Sequence, residues 1–363
     1  MHANVNAELL ADAIKQAVSP LKSDKNLLTF AHLSTHDSEL KIETTDSKVY
    51  SQISLPVDVR ESGACLMRTA ALKAAIGSCG LVQIKGNGSI VRGNSRYKIE
   101  TLADFDAFPH IEVKKWKPLN HAPLDFLNAL MHVYSASDDE DFREVCRAIN
   151  ANGGFLWATD AKRLSRAATG FEGPEFSLPS TFVYLLKSRI QYMTQLSLGY
   201  YSDHAPPSFF RATGPSNTLV THLFRSSFSS MDIDKLIPSP DEASARLRVD
   251  CKAMCNVLMR SRVLATDLKG ICILVLRLQA GKITLGNREK AYAECLLENG
   301  AVVDHQGEAT VAFSCQYMLQ IFRAITVNHA DVYLFSDARK PLLILPADKT
   351  PEQVAHVLMP CAL

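Results

Sequence analysis

Three times along the chain the same plan recurs, and an internal repeat constrains a fold more than any single motif does. Each copy begins with a helical stripe, continues as two alternating apolar runs about a tight turn, and returns to a helical stripe. The paired runs occupy 28–46 (LTFAHLSTHDSELKIETTD), closing on Thr45-Asp46, 144–160 (EVCRAINANGGFLWATD), closing on Thr159-Asp160, and 271–287 (ICILVLRLQAGKITLGN), closing on Gly286-Asn287. Alternation about Gly, Asn or Asp predicts a hairpin in each. The spacing predicts first helices over 7–18, 123–134 and 250–264, and second helices over 68–79, 179–193 and 314–325. In the earliest, Leu9, Leu10, Ala13, Ile14 and Ala17 share a stripe. Pro123 suits a helix start, where its missing N–H costs nothing, and Asp250 suits an N-cap.

The fold class expected is therefore α+β: three copies of one module, each with two helices packed on antiparallel sheets, over 1–118, 119–240 and 241–363. The seams fall in KKWKPLNHAP (114–123) and PSPDEASA (238–245), where Pro, Ser and charge interrupt apolar periodicity. A chain of 363 residues with 47% hydrophobic and 21% charged residues has an ordinary globular composition. Charges interrupt the apolar stretch of the first helix, so it reads as amphipathic and not as a secretory signal, and a cytoplasmic location without a membrane partner is expected.

Several signals point away from chemistry. The nine cysteines are scattered and never in C-x-x-C pairs, so neither a disulfide framework nor a zinc site is expected, and Cys251 and Cys255 read as core thiols on one helix face. GNGSIVRG (86–93) resembles a phosphate loop but lies between strands with no helix after it, so it reads as a hairpin turn. Asp138, Asp139, Glu140 and Asp141 lack the spacing of a calcium loop. No G-x-S-x-G or H-E-x-x-H occurs, and no cofactor, metal or catalytic residue is expected.

The 39 basic and 38 acidic residues leave a formal charge of +1, so only the placement of charge speaks to a nucleic-acid partner. The expected solvent faces of the helices carry Lys15, Arg68 and Lys73, then His132, Lys187 and Arg189, then Lys252, Arg260, Arg262 and Arg323. Acidic residues gather in loops such as SDDEDFRE (137–144). Six modules closed into a ring with twelve helices inside would leave a bore of about 28 Å, enough for hydrated duplex DNA.

In this order the elements resemble the bacterial DNA polymerase III beta subunit, the sliding clamp, over the full length of the chain. TLADFDAFP (101–109) is similar to that family's T-L-P-x-x-D-F-P, ATDAKRLSRA (158–167) to its A-T-D-G-H-R-L-A, and VLMPCAL (357–363) to its V-x-M-P-M-R-L. The resemblance implies half of a closed ring, completed head to tail as a homodimer, that encircles double-stranded DNA and tethers DNA polymerase without catalysis. It implies a cleft for short linear motifs of polymerases, clamp loader and repair proteins. That cleft would comprise Thr159, Lys162, Arg163, Leu164, Met231, Lys235, Leu236, Leu268, Tyr317 and Pro341 with the tail Val357, Leu358, Met359, Pro360 and Leu363. Arg163 and the tail backbone would hold the partner's main chain. At the dimer contact, Tyr97 and Ile99 would pack on Val263 and Leu264. The sequence departs from the family at Cys146, Ala161-Lys162 and Cys361-Ala362, which implies altered partner preferences. The alternatives are an enzyme and a clamp-like decoy that stays monomeric and does not encircle DNA.

Overall fold

The computed structural model describes residues 1–18, 29–77, 79–102, 108–119, 123–225, 232–266, 270–287, 293–337 and 339–362. Along the first repeat lie β1 (His2–Asn6), α1 (Ala7–Val18), β2 (Phe30–His36), β3 (Glu39–Thr45), β4 (Val49–Pro56), β5 (Asp58–Glu61), β6 (Gly63–Arg68), α2 (Thr69–Ile76), β7 (Leu81–Lys85), β8 (Ser89–Arg92), β9 (Ser95–Lys98) and β10 (Thr101–Leu102). The second has β11 (Lys115–Pro118), α3 (Pro123–Val133), β12 (Ala148–Asn152), β13 (Phe155–Thr159), β14 (Arg163–Ala168), β15 (Phe176–Pro179), α4 (Ser180–Lys187), β16 (Gln195–Tyr200), β17 (Phe209–Thr213) and β18 (Asn217–His222). The third has β19 (Ala245–Asp250), α5 (Cys251–Ala265), β20 (Ile273–Gln279), β21 (Lys282–Gly286), β22 (Ala293–Cys295), β23 (Val302–Gly307), β24 (Ala309–Ser314), α6 (Cys315–Ala324), β25 (His329–Leu334), β26 (Leu342–Pro346) and β27 (Val354–Leu358).

Strand pairing is the same in all three. The antiparallel set β6-β2-β3-β4 recurs as β15-β12-β13-β14 and as β24-β20-β21-β22. The set β1-β7-β8-β9 recurs as β11-β16-β17-β18 and as β19-β25-β26-β27. The expected threefold α+β module is thus the observed one.

The chain divides into two compact units, Met1–Pro123 with Thr181–Leu223, and Leu124–Ser180 with Phe224–Leu363. The first contains a sheet ordered β10-β6-β2-β3-β4-β18-β17-β16-β11 and another ordered β5-β1-β7-β8-β9. The second contains β15-β12-β13-β14-β27-β26-β25-β19-β23 and β22-β21-β20-β24. In both long sheets a seam ladder joins strands of successive repeats: β4 to β18, where Tyr50 faces Val220, and β14 to β27, where Arg166 faces Ala355. The first unit's core packs Leu10, Ile14, Leu33, Ile42, Leu72 and Ile84, and the second's packs Leu258, Leu274, Ile283, Met318, Phe322 and Ile344. Each such side chain, fully buried, contributes about 1.5–3 kcal/mol.

Helix ends follow local polar chemistry. The Asn6 Oδ1 accepts the Glu8 and Leu9 N–H groups at 2.8 and 3.2 Å, and Asp250 accepts the Ala253 N–H at 2.7 Å, as an N-cap should. Leu9, which spacing puts on the buried stripe, is half exposed. The helix expected over 179–193 ends at Lys187, because the Arg189 N–H bonds the Leu186 carbonyl at 2.9 Å and tightens the last turn. This turns Arg189 inward. It is fully buried, so its expected place on a solvent face is wrong: its guanidinium donates to Ser51 Oγ at 2.9 Å and to the Gln16 carbonyl. Thr44 donates to the neighbouring Ala17 carbonyl, and together they satisfy two acceptors that the end of α1 leaves open. Desolvation holds the Arg189 pKa down at about 10. Arg189→Met should therefore lower stability by about 1–3 kcal/mol in urea denaturation through an unsatisfied carbonyl. An unchanged midpoint would contradict this capping role.

Candidate functional site

Between β13 and β14 the chain turns on its own side chains. Thr159 Oγ1 accepts the Ala161 N–H at 3.0 Å and donates to the Arg163 carbonyl at 2.6 Å. Asp160 Oδ1 accepts the Lys162 and Arg163 N–H groups at 2.9 and 3.0 Å. These four bonds hold Ala161 at φ +66°, in the left-handed region that favours glycine. The departure at this position thus places a Cβ where the backbone would accept none without strain.

Arg163 is buried beneath this turn. Its Nε meets Asp160 Oδ2 at 3.0 Å, its Nη1 meets Gln320 Oε1 at 2.5 Å, and the guanidinium lies 4.4 Å from the Tyr317 ring centre. Burial pulls its pKa down, against the opposing pull of Asp160 and Tyr317. Lys162 is exposed, 6.0 Å from the same ring. The tail passes alongside: Leu358 pairs with Arg163 in the β14–β27 ladder, the Met359 N–H bonds the Lys162 carbonyl at 2.9 Å, and the Cys361 N–H bonds the Ala312 carbonyl at 2.8 Å.

Apolar residues at the end of the chain serve two purposes. Val357 and Leu358 are buried strand residues, whereas Met359 is 44% exposed beyond them. Leu164 and Val357 pack with Trp157, Leu343, Leu345 and Ala355, and Val145, Ile233, Ile237, Tyr333 and Phe335 lie partly buried against that cluster. The linker carrying Lys235 and Leu236, both exposed, is fastened to β14 by an Arg166–Asp234 ion pair. Thr159, Tyr317, Pro341 and Pro360 are half-buried. Met231, Leu268 and Leu363 lie outside the described residues.

Sequence reasoning missed Gln320 and the Ile233–Ile237 flank. Gln320 stands one helical turn from Tyr317, so spacing along α6 was a usable signal. The linker's apolar flank had none, because its partners are distant in the chain.

The expected cationic residues divide. Lys15, Lys73, Lys187, Lys252, Arg262 and Arg323 are exposed on or beside helices. Arg68 and Arg260 are exposed but paired with Glu100 and Glu294. His132 does not join them: it is half-buried with its ring 6.0 Å from His356, and burial and then Lys349 lower its pKa. At the expected dimer contact, Tyr97, Val263 and Leu264 are exposed by 36%, 81% and 62%. Ile99 is 4% exposed and belongs to the first unit's own core, so it is not available to a partner.

Residues 235–362 match the family model described as DNA polymerase III beta subunit, C-terminal domain. No curated protein matches. Among solved structures, the DNA polymerase sliding clamp from Pseudomonas aeruginosa is 19% identical with a TM-score of 0.80, covering 100% of both chains. The sliding clamp from Bacillus subtilis is 17% identical with a TM-score of 0.83, covering 100% of this chain and 99% of that one. The C. crescentus beta sliding clamp is 18% identical with a TM-score of 0.82 and the same coverage. The fold is therefore that of a DNA sliding clamp from end to end. Over residues 235–362 the chain is similar in sequence to the C-terminal domain of the DNA polymerase III beta subunit.

Two measurements follow. Ala161→Gly relieves the left-handed strain and should raise stability by about 1 kcal/mol in urea denaturation. The buried His356, its Nδ1 2.8 Å from Ser165 Oγ, is pushed down by burial from 6.5 to about 3. An unfolded chain takes up that proton below pH 6.5 and the folded chain does not, so stability falls as pH falls, by about 1.4 kcal/mol per unit from pH 6 to 4. His356→Leu should remove about one proton's worth of that slope, and an equally steep slope would refute the assignment.

Proposed function

We propose that this protein is a DNA sliding clamp, a processivity factor of DNA replication that encircles duplex DNA as a head-to-tail homodimer. The observation carrying this is a pair of free strand edges. In both seams the last strand of a β6-β2-β3-β4 type set pairs with the last strand of a β1-β7-β8-β9 type set. Among the described residues, β22 and β9 hold those same two positions and each pairs on one side only. Joining β22 of one copy to β9 of another applies the same rule twice more and closes two chains into a ring. Exposed Tyr97, Val263 and Leu264 near these edges supply apolar surface for such a contact.

Lys15, Lys73, Lys187, Lys252, Arg262 and Arg323 would face the DNA, touching phosphates without reading sequence. The modules would divide near 118 and 240, with β11 at the first seam. DNA polymerase, clamp loader and repair proteins would dock short linear motifs at the tail cleft, where Met359, Leu236, Tyr317 and Lys162 are presented. The role is non-catalytic, and a cytoplasmic location suits it; no described helix is long and apolar enough to cross a membrane.

The experiment is topological. Loaded by a clamp loader onto circular DNA, the protein should stay bound, slide off once the circle is cut, and run in light scattering at twice its 40.0 kDa chain mass. Val263→Glu should yield a monomer that is not retained. A wild-type monomer, or equal retention on cut DNA, favours the decoy reading instead.

A further inference from the structure

The turn that organises the tail cleft occurs a second time, between β3 and β4, bond for bond. Thr45 Oγ1 accepts the Ser47 N–H at 3.1 Å and donates to the Val49 carbonyl at 2.9 Å, while Asp46 Oδ1 accepts the Lys48 and Val49 N–H groups at 2.9 and 2.7 Å. Ser47 has φ +69°, matching Ala161. The His222 N–H bonds the Lys48 carbonyl at 3.2 Å, as the Met359 N–H bonds the Lys162 carbonyl. Val49 faces Thr221 in the ladder as Arg163 faces Leu358, so His222 holds the place of Met359. Tyr201 follows β16 as Phe335 follows β25, and Pro109–Glu112 follows the first repeat as the Ile237 linker follows the second.

Here these elements enclose a pocket of about 300 Å³, lined by Thr45 and Ser47 from the turn, Pro109–Glu112 from the linker, and Tyr201, Phe209 and His222. That is room for one large side chain, at the lower end of small-ligand sites. Its walls are rings: Phe209 lies 4.9 Å from Tyr201 and 4.6 Å from His222, centre to centre. Beside it, residues 110–113 run without a backbone hydrogen bond among the described residues, leaving donors and acceptors for an added extended chain. Charge separates this pocket from the tail cleft. Val49 stands where Arg163 stands, so Asp46 has backbone donors alone, and the Glu112 carboxylate is exposed at the mouth.

We propose that this pocket is a second docking site for an extended peptide, one that places a leucine or phenylalanine side chain among Tyr201, Phe209 and His222 and sets a neighbouring lysine or arginine against Glu112. Its occupant thus differs from that of the tail cleft, beside which Lys162 and Arg163 stand. The inference extends the reading of the tail cleft as a peptide site, and the test separates the two.

The probe is a fluorescein-labelled Lys-Leu-Phe-Lys peptide, followed by anisotropy on the full chain, on a chain lacking residues 359–363, and on Glu112→Lys and His110→Trp, with circular dichroism to confirm folding. Binding should survive tail removal and weaken by about tenfold or more in both pocket variants, in line with losing a central anchor. The same peptide with benzoylphenylalanine in place of phenylalanine should cross-link to the segments around 110, 201 or 222. Binding lost on tail removal and unchanged in the pocket variants would overturn the second site while leaving the tail cleft standing. Adducts confined to the tail side, or no binding at about 1 mM, would also overturn it.

Discussion

A strand edge carries a row of N–H and C=O groups that must be paired or shielded, or it will recruit another chain. In this protein that requirement is met at the β4–β18 and β14–β27 ladders, while among the described residues β9 and β22 are two of the strands that pair on one side only. The seams do more than join. Each positions the last residue of a strand beside the Asp-centred turn of its neighbour, so the features of both proposed docking surfaces are consequences of strand pairing. Length and register of the ladder therefore govern both the integrity of each unit and the geometry of what sits at its end.

The turn itself shows how polar groups make a surface specific. At both turns an aspartate takes two backbone N–H groups and a threonine bridges the loop, fixing the backbone regardless of what the remaining side chains do. With the backbone held, the next position is free to vary. In the second unit it is Arg163, whose guanidinium is consumed by Asp160, Gln320 and the face of Tyr317. A buried cation so fully engaged fixes the wall beside the tail, where the Met359 and Cys361 N–H groups are likewise bonded within the chain. The first unit substitutes Val49, and a pocket with acidic character results.

How far the sequence discloses this follows the range of the interaction. The hairpin turning on Asn152, Gly153 and Gly154, the Asp250 cap and the helices of each repeat depend on neighbours a few residues apart, and local pattern finds them. Arg189 is the opposite case. Its spacing matches an exposed helical cation, yet its partners, Ser51 and Gln16, lie far away in the chain, and the last turn of α4 tightens to deliver it to them. Ile99 likewise continues an alternating run, but the strand ends at Lys98 and the residue beyond it enters the core. The tail is legible as apolar and not as divided, because only the ladder decides that Leu358 faces inward and Met359 outward.

Charge counting is weakest where function is most diffuse. Among ten helix-associated basic residues expected on solvent faces, Arg189 caps a helix from inside and His132 is desolvated against His356, while Arg68 and Arg260 are neutralised by glutamates. What remains is mostly lysine, whose compact, hydrated charge suits loose attraction to phosphate better than fixed contacts. Weak, unpatterned attraction would suit the proposed sliding contact, since each strong bond to one phosphate would have to break before the next could form. Arg163, Arg166 and Arg189, by contrast, are spent on interior geometry, at Asp160, at Asp234 and at the end of α1. Buried arginines thus hold the scaffold while a mostly lysine set stays at the surface, and neither placement is visible in a net charge of +1.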